Sequence, residues 1–276
     1  MPSIRLDIPD RPLPTMPLGL LVPIPPDTAH QRLAGTTAPN VPSLTRHRAL
    51  NAEQDAFFLP GLDGAGTRFE FTLADGTGES PRAHFTPIDS RYSRPSAELK
   101  DAIAKLIKDV PNDTAAVERM VAFTASLFDY DHPPVRFCDG KDEVPLLETL
   151  TKGSCTDINT FLLSSLYAAG IPGTYYAGYF FEGGKPKSTS GFHCWISTFA
   201  EGEHLDWDIA HHIKTGTREV QPALNPTPGE RVALSYARGL RFAVADLEVE
   251  FTHFAFPYWI YPDGRYEPSV AVATLS

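Results

Sequence analysis

A chain of 276 residues with 42% hydrophobic side chains can bury one large core or two smaller ones. Its formal net charge of -10, with no run of Lys or Arg, excludes the clustered basic surface that a nucleic-acid partner requires. The three cysteines, Cys138, Cys155 and Cys194, are too few for a disulfide framework and suit a reducing cytoplasm.

Prolines at 2, 9, 12, 14 and 17 interrupt Met1 to Leu20, so no apolar helix for secretion or insertion is expected there. No later stretch is long enough to span a bilayer, and the expectation is a cytoplasmic protein without a membrane partner. Strand signals come next at Gly19 to Pro25, at Ala56 to Leu59 and in the alternating run Thr67 to Leu73, which Ala74-Asp75-Gly76 closes. Residues 1–90 are therefore expected to form a small N-terminal β-rich domain, and residues 91–276 a second unit.

Beyond a linker marked by prolines 81, 87 and 95, Leu99, Ile103, Leu106, Ile107 and Val110 recur at helical spacing. A second helix is predicted after the capping residues Asn112, Asp113 and Thr114, with Val117, Met120, Val121, Thr124, Leu127 and Phe128 on one face. The third should run from Cys155 to Ala169 and stop at Gly170-Ile171-Pro172, where glycine supplies the left-handed residue of a C-terminal cap. Strands are then expected over Thr174 to Phe181, Phe192 to Phe199 and Leu205 to Ile209. Arg231 to Ser276 also reads as β, with an Asp263-Gly264 turn. The glycines at 183, 184 and 191 make Glu182 to Gly191 a candidate flap over a site.

Three residues in this layout can form a nucleophile, base and orienter set. Cysteine attacks as thiolate, and a helix N-terminus supplies the positive potential that lowers its pKa, which is where Cys155 falls. On the second strand His193 and Trp195 share a face, while Cys194 and Ile196 share the other. A helix lying across the His193 face would bring the thiol to the imidazole, with Trp195 shielding the pair. Asp206 and Asp208 share a face of the next strand, and strand parity leaves open which of them orients His193.

The run Gly153-Ser154-Cys155-Thr156-Asp157, the helix ending in Ala169-Gly170-Ile171-Pro172, the strand reaching Gly178-Tyr179, His193-Cys194-Trp195 and Asp208 together resemble the transglutaminase-like superfamily. The resemblance implies an α+β fold: a papain-like core of helices packed on an antiparallel sheet, preceded by the small β domain, with residues 91–276 as the catalytic domain. It also implies Cys155 as nucleophile, His193 as base and acid, and Asp208, rather than Asp206, as orienter. Trp195, Trp207 and Tyr179 are the expected substrate-side residues. Cys138 and Cys194 read as unreactive small apolar side chains, Cys194 on the face away from His193.

The function so implied is acyl transfer through a thioester on Cys155, with a peptide, amide or other acyl substrate and no cofactor. Hydrolysis of a peptide or amide bond is the leading form, transamidation or biosynthetic amide formation the alternative. A silent binding or scaffold protein of the same fold is the reading from another class. His211-His212 raises a metal alternative, but adjacent histidines on an extended segment point apart and no paired-cysteine spacing accompanies them, so no metal is expected.

Overall fold

Local sequence determines where the helices start and stop. In the computed structural model, which describes residues 1–10, 13, 15–39, 41, 43–62 and 64–276, α1 spans Ala97–Leu106 and α2 spans Asp113–Leu127. Ser96 caps α1 by accepting from the Leu99 N–H at 3.2 Å, and Asn112 caps α2 by accepting from the Ala115 N–H at 2.9 Å. Helix α3 runs Cys155–Ala169 and ends at Gly170, whose φ of 70° is the left-handed cap expected of it. Pro12 and Pro14 of the proline-interrupted leader lie outside the described residues.

A fourth helix, α4 (Ile209–Lys214), replaces the end of the strand expected over Leu205 to Ile209. The strand stops at Trp207 because Asp208 leaves extended geometry (φ -120°, ψ 69°) and its carboxylate accepts from the His211 N–H at 3.1 Å. Asp208 is therefore an N-cap as well as a site candidate.

The helices pack on one face of a four-stranded antiparallel sheet ordered Glu203–Trp207, Phe192–Ala200, Gly173–Glu182, Gly229–Tyr236. That face carries Tyr175, Ala177, Cys194, Ile196 and Trp207, which join Ile158, Phe161 and Leu162 of α3 in one core. The opposite face holds Tyr176 and Trp195 against a second core built from Phe242, Phe251 and Tyr258. Helix α3 thus lies on the Cys194 face and not on the His193 face. The helix face buries no charged side chain of these strands, whereas the other carries His193, Asp206 and Asp208, whose charges a covering helix would have to desolvate.

Strands from both ends of the chain share sheets. Ser3–Ile8 pairs with Thr67–Asp75 on one side and with Val272–Leu275 on the other, and Gly19–Pro23 pairs with Asp55–Pro60 and with Tyr258–Ile260. Backbone ladders therefore cross the boundary expected near residue 90. The Glu182 to Gly191 loop is tied to the same system, since Ser188–Thr189 pairs with Val272–Leu275 and the Gly183 N–H donates to Pro228 at 2.7 Å. Among the described residues no helix is long and apolar enough to cross a membrane.

Candidate active site

The site is assembled where α3 begins. A short parallel pair, Phe128–Tyr130 with Thr151–Gly153, delivers the chain to Ser154 with Tyr130 opposite Gly153. A side chain at 153 would collide with Asp157 and Phe128, each 2.8 Å from where its Cβ would lie, so glycine lets this turn close. The Asp157 carboxylate then reaches back to accept from the Ser154 N–H and from its hydroxyl, both at 2.9 Å, one half of a capping box. Arg136 closes this corner, donating to Asp157 at 2.6 Å and to Ser154 Oγ at 2.9 Å. Arg136 carries no sequence motif that would have singled it out.

Cys155 is the first residue of α3 and is 4% exposed, so its thiol is reached only by a narrow opening. Two side chains of the Phe192–Ala200 strand, Cys194 and His193, act on its ionisation. The thiol is held well below its ordinary pKa, first by the Cys194 S–H, against burial, and then by the His193 imidazole. The Cys194 thiol moves the other way, pushed up by burial and by the neighbouring charge. Cys194 is thus not remote from the site, as strand parity alone suggests, because the helix covers its face.

His193 is directly opposite Gly178 in the sheet, and a Cβ at 178 would lie 1.9 Å from the Val232 carbonyl oxygen, so the neighbouring strand can approach only a glycine. Its Nε2 meets Asp208 Oδ2 at 2.8 Å. Burial disfavours the imidazolium, but the Asp208 charge and hydrogen bond outweigh it and push His193 up to about 9. Asp208 in turn sits well below the usual carboxylate range: burial opposes this, and His193 followed by His211 overcome it. A lowered thiol beside a raised imidazole favours the thiolate–imidazolium form of the pair.

Asp208 is held from four further directions. His211 Nδ1 lies 3.2 Å from Oδ2, the His211 N–H caps onto Oδ1, Asn225 Nδ2 donates to Oδ2 at 3.2 Å, and Arg231 approaches to 3.9 Å. Asp206, on the same face, takes different partners: His30 Nε2 and Arg231 Nη2, each at 3.1 Å. The choice that strand parity leaves open is therefore resolved by contact, with His193 on Asp208. His211, Asn225 and Arg231 come from α4, the loop after it and a distant strand, and only topology brings them in.

The three expected substrate-side residues separate. Trp195 lines a cavity of about 200 Å³ together with His30, Tyr176, Asp206 and Arg231, and the Arg231 guanidinium lies 4.9 Å from the Trp195 ring centre. Trp207 is instead wholly enclosed on the helix face, its indole N–H donating to Thr198 Oγ1 at 3.0 Å. Tyr179 is likewise enclosed, beneath the N-terminal sheet. Sequence proximity to His193 and Asp208 puts both beside the site, but side chains at those positions project into packed layers.

His193, Asp208 and His211 place ligand atoms within 4.8 Å of one another. The two imidazoles are stacked, with ring centres 4.1 Å apart and planes 4° from parallel. A metal binds in the plane of an imidazole at about 2.0–2.1 Å, so lone pairs lying in two stacked planes do not converge on one ion. His212 turns away to bond the Asp208 carbonyl at 2.8 Å.

Residues 100–208 match the family model of the transglutaminase-like superfamily, a stretch running from α1 to Asp208. No curated protein matches the chain. Among solved structures the whole chain is similar to 97% of a candidate cysteine protease from Cytophaga hutchinsonii, at 14% identity and a TM-score of 0.49. Over 79% of its length it is similar to 90% of the periplasmic domain of TgpA from Pseudomonas aeruginosa, at 15% identity and a TM-score of 0.40. The likeness to the transglutaminase-like superfamily thus rests on residues 100–208.

Proposed function

We propose that this protein is a cysteine-dependent acyl-transfer enzyme with Cys155 as nucleophile, His193 as general base and acid, and Asp208 as orienter. The observation carrying this reading is the buried constellation of Cys155 at the start of α3 with His193 Nε2 2.8 Å from Asp208, in which the thiol is lowered and the imidazole raised. The Cys155 thiolate adds to an amide or related acyl carbon, and the tetrahedral oxyanion develops at the N-terminus of α3. There the helix dipole and the Cys155 N–H favour negative charge. His193 passes its proton to the leaving amine, the C–N bond breaks, and a thioester remains on Cys155. Water then attacks the thioester carbonyl with His193 as base, releasing acid and thiol. Hydrolysis of a peptide or amide is favoured, and an amine in place of water would make the same site a transamidase.

Asp208 keeps the imidazole fixed through both proton transfers, and its own position is secured by the α4 cap and by Asn225. The Trp195 ring stacks on His193 with centres 6.3 Å apart and also lines the cavity, which we assign to the substrate on that contact. Trapping tests the reading: with peptide or amide donors, hydroxylamine should yield a hydroxamate, and Cys155→Ala should abolish it. Undiminished hydroxamate formation in that variant would remove Cys155 from the mechanism.

A further inference from the structure

Two of the three cysteines lie in one buried cluster at the site, and the proposed reaction uses only one. Cys194 points from the Phe192–Ala200 strand onto the N-terminal half of α3. There Asn159, one helical turn beyond Cys155 and on the same side of the helix, donates its amide to the Cys194 carbonyl at 2.9 Å and to Cys194 Sγ at 3.4 Å. Cys155 and Cys194 belong to one buried cluster, with Cys155 4% exposed and Cys194 wholly enclosed behind it. Cys138 is also a free thiol but is not a member of that cluster.

We propose that Cys194 is a resolving thiol, so that oxidation of Cys155 by a hydroperoxide ends in a reversible Cys155–Cys194 disulfide. The Cys155 thiolate attacks one peroxide oxygen, the S–O bond forms as the O–O bond breaks, and the departing hydroxide takes the His193 proton and leaves as water. Cys155 is then a neutral sulfenic acid. The charge that helped hold the Cys194 thiol up is gone, and neutral His193 is free to take its proton. The Cys194 sulfur attacks the Cys155 sulfur, the S–S bond forms as the S–O bond breaks, and the hydroxyl leaves with that proton as a second water. Together the two thiols lose two electrons and two protons, and the peroxide is reduced to two waters.

This step needs only the two thiols and the imidazole, so a failed hydroxamate assay leaves it standing. The test is peptide mapping of the full chain after stoichiometric hydrogen peroxide, with free thiols alkylated on unfolding and no reductant. Wild type should give a Cys155–Cys194 linked peptide and a loss of iodoacetamide labelling at Cys155 that dithiothreitol reverses. Cys194→Ala should give sulfinic acid on Cys155 and a loss of labelling that dithiothreitol does not reverse. Sulfinic acid on wild-type Cys155 with Cys194 still alkylatable, or a Cys155–Cys138 link, would overturn the proposal. The wild-type map decides alone, so a folding defect in the variant does not blunt the test.

Discussion

Asp206 and Asp208 are the same side chain, two residues apart on one face of the sheet, yet they sit in different electrostatic settings. Asp206 meets Arg231 and the largely exposed His30 at the wall of the cavity, an arrangement that neutralises a buried charge. Asp208 meets His193, His211, Asn225 and the first turn of α4, an arrangement that fixes one imidazole and raises its pKa. The difference lies in the path of the chain after each residue. Asp206 remains in the strand, whereas Asp208 starts a helix whose N–H groups and His211 close around it. The proposed orienter is set apart from its neighbour by its place at a chain turn.

Exchanging the two carboxylates for amides should separate these settings most strongly. In Asp208→Asn, His193 loses the charge that raises it, and iodoacetamide alkylation of Cys155 near pH 6.5 is expected to fall roughly 10- to 100-fold. Asp206→Asn should change that rate by less than about threefold, since it touches neither His193 nor Cys155. Equal losses in both variants would erase the distinction.

Next in size is Arg231→Gln. It leaves the buried Asp206 with only His30 as its ionic partner, and should cost about 2–3 kcal/mol of stability in urea while leaving Cys155 alkylation within about twofold. A loss of alkylation comparable to that of Asp208→Asn would show that Arg231 acts mainly through Asp208.

The pH dependence of stability sharpens the Asp208 side. Between pH 6.5 and about 8.5 the unfolded chain holds its proton on Cys155 and none on His193, while the native pair, with the imidazole raised and the thiol lowered, holds one on His193 and none on Cys155. The counts match, so this pair contributes no slope in wild type. In Cys155→Ala the native state keeps a proton on His193, raised by Asp208, that the unfolded state has lost above pH 6.5. Stability should then fall as pH rises, by up to about 1.4 kcal/mol per pH unit relative to wild type. Parallel urea midpoints for the two proteins across this window would contradict the ion pair. The smallest effect belongs to His30→Gln, an exposed partner of Asp206, expected to shift stability by at most about 0.5 kcal/mol.

Much of this site is legible in the sequence because it rests on local chemistry. The bounds of α3 come from Ser154, the apolar run and Gly170, and strand alternation puts His193, Trp195, Asp206 and Asp208 on one face. What local chemistry does not carry is which face a helix will cover, and so Cys194 reads as remote when it shares a buried cluster with Cys155. The apolar character of Tyr175, Ala177, Ile196 and Trp207 is a signal that could place α3 correctly. Helix α4 escapes a sequence reading because Asp208 reads equally as a strand residue, and His211 is lost with it. The alternation of Ile4, Leu6 and Ile8 marks a strand that its flanking prolines conceal. Arg136, Asn225 and Arg231 reach the site through long-range contacts that no short motif records.

The central claim is that the Cys155 thiol is activated by His193, and the pH profile of its alkylation tests that most directly. Iodoacetamide modification of Cys155, read by peptide mass, should reach half-maximal rate well below the ordinary cysteine value of about 8.5, and His193→Gln should move that point up toward or beyond it. A wild-type profile centred at or above about 8.5 and unchanged in His193→Gln would contradict the account.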